Sequence, residues 1–197
     1  MCPTAGGIQV VPIIHSHERT HYSHAARLGR YSHAIVAVSD QTWREFQSVQ
    51  PSLAGKLKLI PYGVKVPESP SPIRNRSNHP LELIYSGRIV KGQKRIMDLA
   101  RIAAGLSERE IPFRLTVAGG GADQQELQRR LEPLVRSGQV YLAGIVDGDR
   151  LAGLYARSHA VLLTSRFEGL PLCLLEGMAH GCVPIVPAIP SLTPSPS

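Results

Sequence analysis

Residues 81–117, LELIYSGRIVKGQKRIMDLARIAAGLSEREIPFRLTV, contain two short apolar segments with a longer periodic segment between them. Residues 81–85 and 113–117 have the length and the apolar content of buried strands. Residues 93–105 repeat apolar side chains at helical spacing. Because two strands joined by a helix can pair in parallel, this stretch predicts a βαβ unit.

The same alternation of strands and helices continues on both sides of this unit. The sequence therefore predicts an α/β protein with a Rossmann-like, doubly wound parallel sheet. Further strands are predicted at residues 8–14, 34–38, 57–60, 140–142, 161–164 and 182–186, and we expect the last of them to be buried. Further helices are predicted at residues 24–33, 40–49, 123–136, 149–157 and 170–180.

A segment of different composition divides the chain. Residues 64–80, VKVPESPSPIRNRSNHP, are rich in Pro, Ser and Asn and show no periodicity, so they predict an interdomain linker. We expect residues 1–63 to be the C-terminal part of one domain and residues 81–197 to form a second domain. Because the first stretch is short for a domain and no helix pattern follows residue 186, we expect a partial chain, truncated at both ends.

The composition excludes several classes of protein. No apolar segment approaches the ~20 residues that span a membrane, and residues 1–7 lack the basic and apolar regions of a signal peptide. Cysteines occur only at positions 2, 173 and 182, which is too scattered for a disulfide framework or a metal knuckle. These features favour a protein of the reducing cytoplasm.

Positive charge is concentrated in the first half of the chain. Residues 1–100 hold 13 Lys and Arg against 6 Asp and Glu, whereas the remaining residues hold 9 of each kind. A basic surface of this kind attracts phosphates, nucleic acid or an anionic membrane face, and a merely solvated basic surface is the alternative. Nucleic acid is disfavoured because few aromatic side chains accompany the basic ones.

Basic residues are densest in SGRIVKGQKRI, residues 86–96, directly after a predicted strand. Ligands of parallel α/β sheets bind beyond the carboxyl ends of the strands. Gly87 ends the strand, and four cations follow at the predicted start of the next helix: Arg88, Lys91, Lys94 and Arg95. Since cations there oppose the helix macrodipole, the cluster indicates a bound anion such as a diphosphate. A solvated basic loop is the alternative.

Two glutamates occur in the apolar run RFEGLPLCLLEGMAHGCVPIV, residues 166–186. Glu168 is predicted on a loop, where Gly169 permits close backbone approach, and Glu176 is predicted within a helix. Carboxylates accept hydrogen bonds from sugar hydroxyls, so the pair suits two neighbouring sugars. The alternatives are a favourable acid near a helix N-terminus for Glu168 and an ion pair with an arginine for Glu176. A carboxylate in such apolar company needs a polar partner.

Three other patterns point more weakly to different chemistry. AGGGAD, residues 118–123, resembles a dinucleotide loop, but it is not the full glycine motif and no acid is well placed after it, which disfavours an oxidoreductase. DGD, residues 147–149, resembles a metal-binding acid pair but lies where a helix begins. The histidines at 15, 17, 21 and 24 suggest a metal, yet a solvated or substrate-facing cluster is favoured because no cysteine lies nearby.

Taken in order, these motifs resemble a known family. EGLPLCLLE is an E-x7-E motif, and LLTSRFEGLPLCLLEGMAHGCVPIV resembles the donor-site signature of retaining GT-B glycosyltransferases of group 1, a GT4-like family. SGRIVKGQKRIMDL is similar to the Gly-Arg loop of that family, with a lysine six residues after the arginine. AIVAVSDQTWREF followed by KLKLIPYGV resembles the end of its N-terminal, acceptor-binding domain. The resemblance covers about residues 13–190.

The resemblance implies a role for each matching residue. Glu168 would contact hydroxyls of the transferred sugar, and Glu176 would bind the ribose of the nucleotide. Arg88 and Lys94, next to Gly87, would hold the diphosphate, with amides around Gly169 and Leu170 completing the clamp. His15 matches a histidine near the reacting sugar. Lys91 and Arg95 receive no role.

The implied reaction moves a sugar from a UDP-sugar or GDP-sugar to a saccharide or lipid-linked acceptor. Its catalysis would be electrostatic stabilisation of the leaving diphosphate, with retention of configuration and without a metal or other cofactor. The few scattered cysteines favour a cytoplasmic location, and the basic first half favours peripheral contact with the inner membrane face. No nucleic-acid partner is expected, because aromatic side chains are few. The alternative is a truncated, non-catalytic remnant that binds nucleotide weakly or serves as an interaction module.

Overall fold

A computed structural model describes residues 9–68 and 80–189 of the chain. The contacts between residues divide these into two compact units. The first unit contains residues 9–63, 167–171 and 188–189, and the second contains residues 64–68, 80–166 and 172–187. The division after residue 63 coincides with the start of the predicted linker, of which residues 69–79 lie outside the described part.

The first unit is built on a three-stranded parallel sheet in the order β1-β2-β3. Its core joins the sheet to two helices through Ile14, Ile35 and Phe46, which are fully buried. Ser39 begins the second helix with a capping box, in which its side chain and that of Thr42 each accept a backbone N–H. The elements are β1 (Ile13–Ile14), α1 (Arg19–Gly29), β2 (Ile35–Ala37), α2 (Asp40–Val49), a 3-10 helix (Pro51–Lys56) and β3 (Leu57–Leu59).

The second unit is built on a five-stranded parallel sheet in the order β6-β5-β4-β7-β8. The chain therefore moves outward from β4 to β6 and then returns to the other side of β4. The elements are β4 (Leu81–Ser86), α3 (Met97–Glu108), β5 (Phe113–Ala118), α4 (Gln124–Arg136), β6 (Val140–Gly144), α5 (Gly148–Arg157), β7 (Ala160–Leu162), α6 (Leu172–Ala179) and β8 (Val183–Ile185).

The core of the second unit lies around its central strand β4. Leu83 and Tyr85 alternate along that strand and are almost completely buried, beside Leu115 and Val117 in register on β5. Leu99 of α3 and Leu127 of α4 belong to the same buried cluster. Burial of apolar surface stabilises the folded state by about 25 cal/mol per Å². This packing therefore holds in place the strand that precedes the basic residues.

Two predicted helices are displaced in the structure. Helix α3 begins at Met97 rather than at residue 93, because Arg95 has a φ of 46° and an α-helix cannot include that conformation. Helix α1 covers residues 19–29 rather than 24–33. Its buried face continues one turn earlier, through Tyr22, Ala25 and Ala26, and the chain turns after Gly29 to enter β2.

Two predicted strands also differ. In the segment predicted as a strand at residues 8–14, only Ile13 and Ile14 pair with β2, and residue 8 lies outside the described part. The expectation that residues 182–186 are a buried strand is wrong. Among residues 9–68 and 80–189, strand β8 pairs with β7 alone and forms an edge of the sheet, and Val183, Pro184 and Ile185 are all exposed. A proline in a strand is compatible with an edge and disfavours a central position.

Candidate functional site

The order of the strands in the second unit places a topological switch point between β4 and β7. Connections leave the neighbouring strands β4 and β7 toward opposite sides of the sheet, since the chain continues to β5 from one and to β8 from the other. Ligands of open α/β sheets bind at such a switch point, beyond the carboxyl ends of the strands. The residues that follow β4 and β7 are therefore the candidates for a binding site.

The arginine loop, residues 87–96, follows β4 and carries the predicted cations. Its backbone is held at the edge of the sheet, because Gly87 N donates to the carbonyl of Ala118 over 3.0 Å and Ile89 N donates to that of Gly120 over 2.9 Å. The Tyr85 hydroxyl donates to the carbonyl of Arg88 over 2.8 Å. The Arg88 side chain is exposed, and it extends from a backbone that these hydrogen bonds hold in place.

The glycine loop, residues 119–123, packs directly against the arginine loop. A Cβ atom at Gly119 would lie 1.9 Å from the carbonyl oxygen of Gly87, and one at Gly121 would lie 2.3 Å from that of Ile89. Both distances are far below van der Waals contact, so no other residue fits without a backbone shift. Gly119 and Gly121 of AGGGAD thus have a packing role between two loops, which the sequence pattern alone did not indicate.

The four cations of the arginine loop differ in their surroundings. Lys91 forms ion pairs with Glu126 and, over 3.6 Å, with Asp123. The hydrogen bond that Lys91 donates to Glu126 raises the pKa of Lys91, and Lys91 in turn lowers the pKa of Glu126. The position of this charge in the sequence predicts an external anion to balance it. The structure balances it within the protein.

The remaining three cations have other partners. Arg95 pairs with Asp98 over 2.6 Å, while Nη2 of Arg88 donates to the side-chain oxygen of Gln93 over 2.6 Å. Lys94 is half-buried, and its carbonyl accepts a hydrogen bond from the Thr164 hydroxyl over 2.6 Å. Arg88 is therefore oriented by an uncharged amide, which leaves its charge available for an anion.

The glutamate loop, residues 163–171, follows β7 and is tied to the arginine loop where it begins. In addition to the Thr164 bond, the backbone N–H of Arg166 donates to the carbonyl of Gln93 over 2.8 Å. The loops that follow β4 and β7 are thus joined by two hydrogen bonds at the switch point.

Residues 167–171 of the glutamate loop belong to the first unit, together with His15. Glu168 is buried, with 6% of its surface exposed, and Leu170 is half-buried. A Cβ atom at Gly169 would lie 2.0 Å from the carbonyl oxygen of His15, so this glycine permits a close approach of backbone to backbone. The His15 ring hydrogen-bonds and stacks on Tyr62, with ring centroids 5.8 Å apart.

Glu176 lines a cavity of about 580 Å³ in the second unit. The Tyr155 hydroxyl donates to its Oε2 over 3.1 Å, so the polar partner expected for this glutamate is a tyrosine rather than an arginine. Tyr155 also hydrogen-bonds Ser86, the last residue of β4, and stacks on His180 with centroids 5.9 Å apart. The other residues that line the cavity are Lys65, Val66, Pro67, Glu68, Gly148, Asp149, Leu151 and Ala152.

Burial keeps Tyr155 in its neutral form. Desolvation of the ring hydroxyl is the largest cause of its raised pKa, and the neighbouring Cys173 and Glu176 raise it further. A neutral tyrosine hydroxyl can donate a hydrogen bond, as it does here to the carboxylate of Glu176. Because the same hydroxyl contacts Ser86, the carboxylate of the cavity is linked to the strand end from which the arginine loop begins.

His17 and His21 of the first unit have separate hydrogen-bond partners. His17 Nδ1 lies 3.1 Å from both the Tyr22 hydroxyl and the Glu45 carboxylate, and His21 pairs with Ser16 over 2.6 Å. Among residues 9–68 and 80–189, no three His, Cys, Asp or Glu side chains group as a metal site. The acids at 147 and 149 flank the start of α5, as the sequence analysis expected.

No helix in the part of the chain that the structure describes is long and apolar enough to cross a membrane.

The family follows from comparison with known sequences. The family model described as "Glycosyl transferases group 1" matches residues 80–194, which is more than half of the chain. The chain belongs to this family. Its α/β architecture with parallel sheets is that of the GT-B glycosyltransferases and includes a partial Rossmann-like domain.

Two curated relatives have the same description, lipopolysaccharide 1,6-galactosyltransferase. The protein of Salmonella typhimurium is 32% identical over 124 residues, 61% of this chain and 33% of the relative. The protein of Escherichia coli K12 is 37% identical over 113 residues, 53% of this chain and 29% of the relative. The chain thus spans about a third of the length of the curated relatives that it matches.

Solved structures support the fold. The lipopolysaccharide outer core galactosyltransferase WaaB in its apo form has a TM-score of 0.65 at 26% identity, covering 85% of this chain and 46% of that protein. TarM of S. aureus, in complex with Fondaparinux, alpha-GlcNAc-glycerol and UDP, has a TM-score of 0.77 at 16% identity, covering 95% of this chain and 38% of that protein. Anabaena HepE in complex with UDP has a TM-score of 0.67 at 19% identity, covering 93% of this chain and 54% of that protein.

Proposed function

We propose that this chain belongs to an enzyme that transfers a sugar from a nucleoside diphosphate sugar, a UDP-sugar or a GDP-sugar, to a saccharide or lipid-linked acceptor. The observation that carries the proposal is the junction of two loops at the switch point. The backbone of the arginine loop meets the start of the glutamate loop there, because Thr164 and the backbone N–H of Arg166 donate to carbonyls of the arginine loop. Membership of the group 1 family supports it, as do the names of the curated relatives.

The cavity around Glu176 is the proposed nucleoside site. Its volume of about 580 Å³ lies within the range of small-ligand pockets. In the described part of the chain the carboxylate of Glu176 accepts one hydrogen bond, from Tyr155 to Oε2, so its second oxygen is available to a ribose diol. Tyr155 orients the carboxylate and stays neutral, which avoids a second negative charge beside a nucleotide.

Arg88 and Lys94 are the proposed ligands of the diphosphate, next to Gly87. A guanidinium on a fixed backbone binds two phosphate oxygens in a planar, bidentate manner. As the bond to the sugar breaks, negative charge develops on the leaving diphosphate, and these cations lower the energy of that state. We propose that no metal or other cofactor takes part.

Glu168, Gly169, Leu170 and His15 are the proposed contacts of the transferred sugar. The carboxylate of Glu168 would accept hydrogen bonds from sugar hydroxyls, and the amides near Gly169 would donate to the diphosphate. We further propose that the enzyme is GT4-like and retains the configuration of the donor. This part rests on the resemblance of the E-x7-E motif at residues 168–176.

Binding of nucleoside diphosphates tests the proposal. We expect UDP or GDP, and the corresponding sugars, to raise the melting temperature of the 197-residue chain, because a ligand that binds the folded state stabilises it. Replacing Glu176→Ala or Arg88→Ala should abolish that shift and the heat of binding in calorimetry. Glu132→Ala, on the exposed side of α4, is the control. Unchanged affinity in Arg88→Ala or Glu176→Ala would reject the role of that residue.

A transfer assay decides between the proposal and its alternative. Because the chain spans about a third of its curated relatives, we expect these residues alone to bind a nucleoside diphosphate without turnover. Release of UDP or GDP from a nucleotide sugar, coupled to labelling of an acceptor, measures this. Clear turnover by the 197 residues would contradict the expectation of a non-catalytic chain.

A further inference from the structure

We propose that Asp123 is a positioning residue, which holds the arginine loop in the shape that binds a diphosphate. This inference rests on the proposed function, since it concerns the same site. Asp123 lies on the glycine loop, at the N-cap position of α4. It ends the AGGGAD segment, to which the sequence assigned no role in binding, and it acts through the backbone on either side of Val90.

Asp123 forms two hydrogen bonds with the backbone of the arginine loop, one on each side of Val90. The N–H of Asp123 donates to the carbonyl of Ile89 over 3.1 Å. Its carboxylate oxygen Oδ2 accepts the N–H of Lys91 over 2.7 Å. One residue therefore fixes the chain immediately after Arg88, where a change in backbone direction would move the guanidinium.

The side chain of Asp123 is committed to this contact and not to its own helix. An aspartate at an N-cap position normally accepts a backbone N–H from the first turn of its helix. In Asp123 no such bond forms, and the carboxylate instead reaches Lys91 of the neighbouring loop. The usual reason for an aspartate at this position is thus absent, and the bond across the loops takes its place.

The charge of Lys91 reinforces the contact. Its ammonium lies 3.6 Å from Asp123 and also pairs with Glu126 on the first turn of α4. Because these two carboxylates already neutralise it, Lys91 joins the loops and is not needed as a phosphate ligand. Gly119 and Gly121 allow the backbones to approach closely enough for these bonds to form.

A bidentate contact between arginine and phosphate depends on accurate placement. Small displacements of a ligand-binding group cost much of its binding energy. Loss of the Asp123 carboxylate would leave the Lys91 N–H without its acceptor and free the loop after Arg88. The affinity for a diphosphate would then fall, although Asp123 itself touches no ligand.

Calorimetry of UDP and GDP binding to the 197-residue chain tests the inference. We expect Asp123→Ala to weaken the binding by about tenfold, because the hydrogen bond from the Lys91 N–H is lost and the arginine loop is no longer held in place. Asp123→Asn should bind within about threefold of the wild type, because its side-chain oxygen can still accept the Lys91 N–H. Glu132→Gln is the matched control on the same helix and should bind like the wild type.

Amide hydrogen exchange without ligand gives an independent readout. Asp123→Ala should raise the exchange rates of the Ile89 and Lys91 amides, whereas Glu132→Gln should leave them unchanged. Affinities are compared at a temperature at which circular dichroism shows every variant folded. If Arg88→Lys retains measurable binding, adding Asp123→Ala to it should cost less than in the wild type, since coupled residues are not additive.

The outcomes separate the inference from the proposed function. If the wild type binds neither UDP nor GDP, both fail. If the wild type binds and Asp123→Ala binds equally well, only the positioning role fails. Equal losses in Asp123→Ala and Asp123→Asn would also overturn it, because charge rather than the backbone contact would then be responsible.

Discussion

At the scale of single residues, the two predicted glutamates have different environments. Glu168 is buried in the first unit, whereas Glu176 lines a cavity of the second and accepts a bond from Tyr155. The sequence pattern singled out both glutamates as binding residues, but it did not indicate that Tyr155 is the partner of Glu176. Tyr155 lies 21 residues before its partner and on another helix, so only the packing of α5 against α6 brings them together.

Tyr155→Phe tests the role of this hydroxyl. The change keeps the ring that stacks on His180 but removes the donor to Glu176, which is worth about 0.5–1.5 kcal/mol for one hydrogen bond. We expect a loss of about three- to tenfold in affinity for UDP or GDP, measured by calorimetry. Tyr141→Phe, at an exposed position on β6, is the control. Equal affinities in the two variants would show that the Tyr155 hydroxyl does not orient the carboxylate.

At the scale of elements, the contact between the arginine loop and the glycine loop shapes the candidate site. Strands β4 and β5 pair in register up to Ser86 and Ala118, so their two loops begin side by side. Backbone bonds then continue the pairing beyond the strands, from Gly87 and Ile89. A side chain at Gly121 would interrupt this pairing, because it would meet the Ile89 carbonyl at 2.3 Å.

Gly121→Ala and Gly120→Ala make a matched pair in one loop. At Gly121 the obstacle is backbone, whereas at Gly120 it is the exposed side chain of Ile145, which can move aside. We expect Gly121→Ala to lower the free energy of unfolding by about 1–3 kcal/mol, as overpacking does, and to weaken nucleotide binding. Gly120→Ala should cost less than about 0.5 kcal/mol. Urea denaturation of both variants measures this, and a ranking in the opposite order would contradict the loop contact.

At the scale of the whole molecule, periodicity predicted the α/β class and most elements, since buried strands and amphipathic helices have distinct spacings. Helix α2 was predicted at its observed bounds, and α4 and α5 to within one residue. Three features could not be read locally. The edge position of β8 depends on strand order, the start of α3 depends on the φ of Arg95, and the neutralisation of Lys91 depends on a contact between loops.

The uneven charge of the chain leads to a prediction about membranes. In the first unit, Arg27 and Arg30 are exposed beside Leu28 and Tyr31, whose exposed fractions are 45% and 62%. Cations next to apolar side chains suit an anionic membrane face. We propose peripheral contact there, at the inner face of the membrane, as part of the proposed function.

Vesicle sedimentation measures this contact. We expect the 197-residue chain to bind vesicles containing about a third phosphatidylglycerol, and to be released as salt shortens the range of the attraction. Each basic residue near such a surface contributes about 1 kcal/mol, so the double change Arg27→Glu and Arg30→Glu should weaken binding by more than tenfold. The double change Arg129→Glu and Arg136→Glu alters the net charge equally on α4 of the second unit and should have a smaller effect. If both double variants lose binding to the same extent, net charge alone accounts for it and α1 has no specific role.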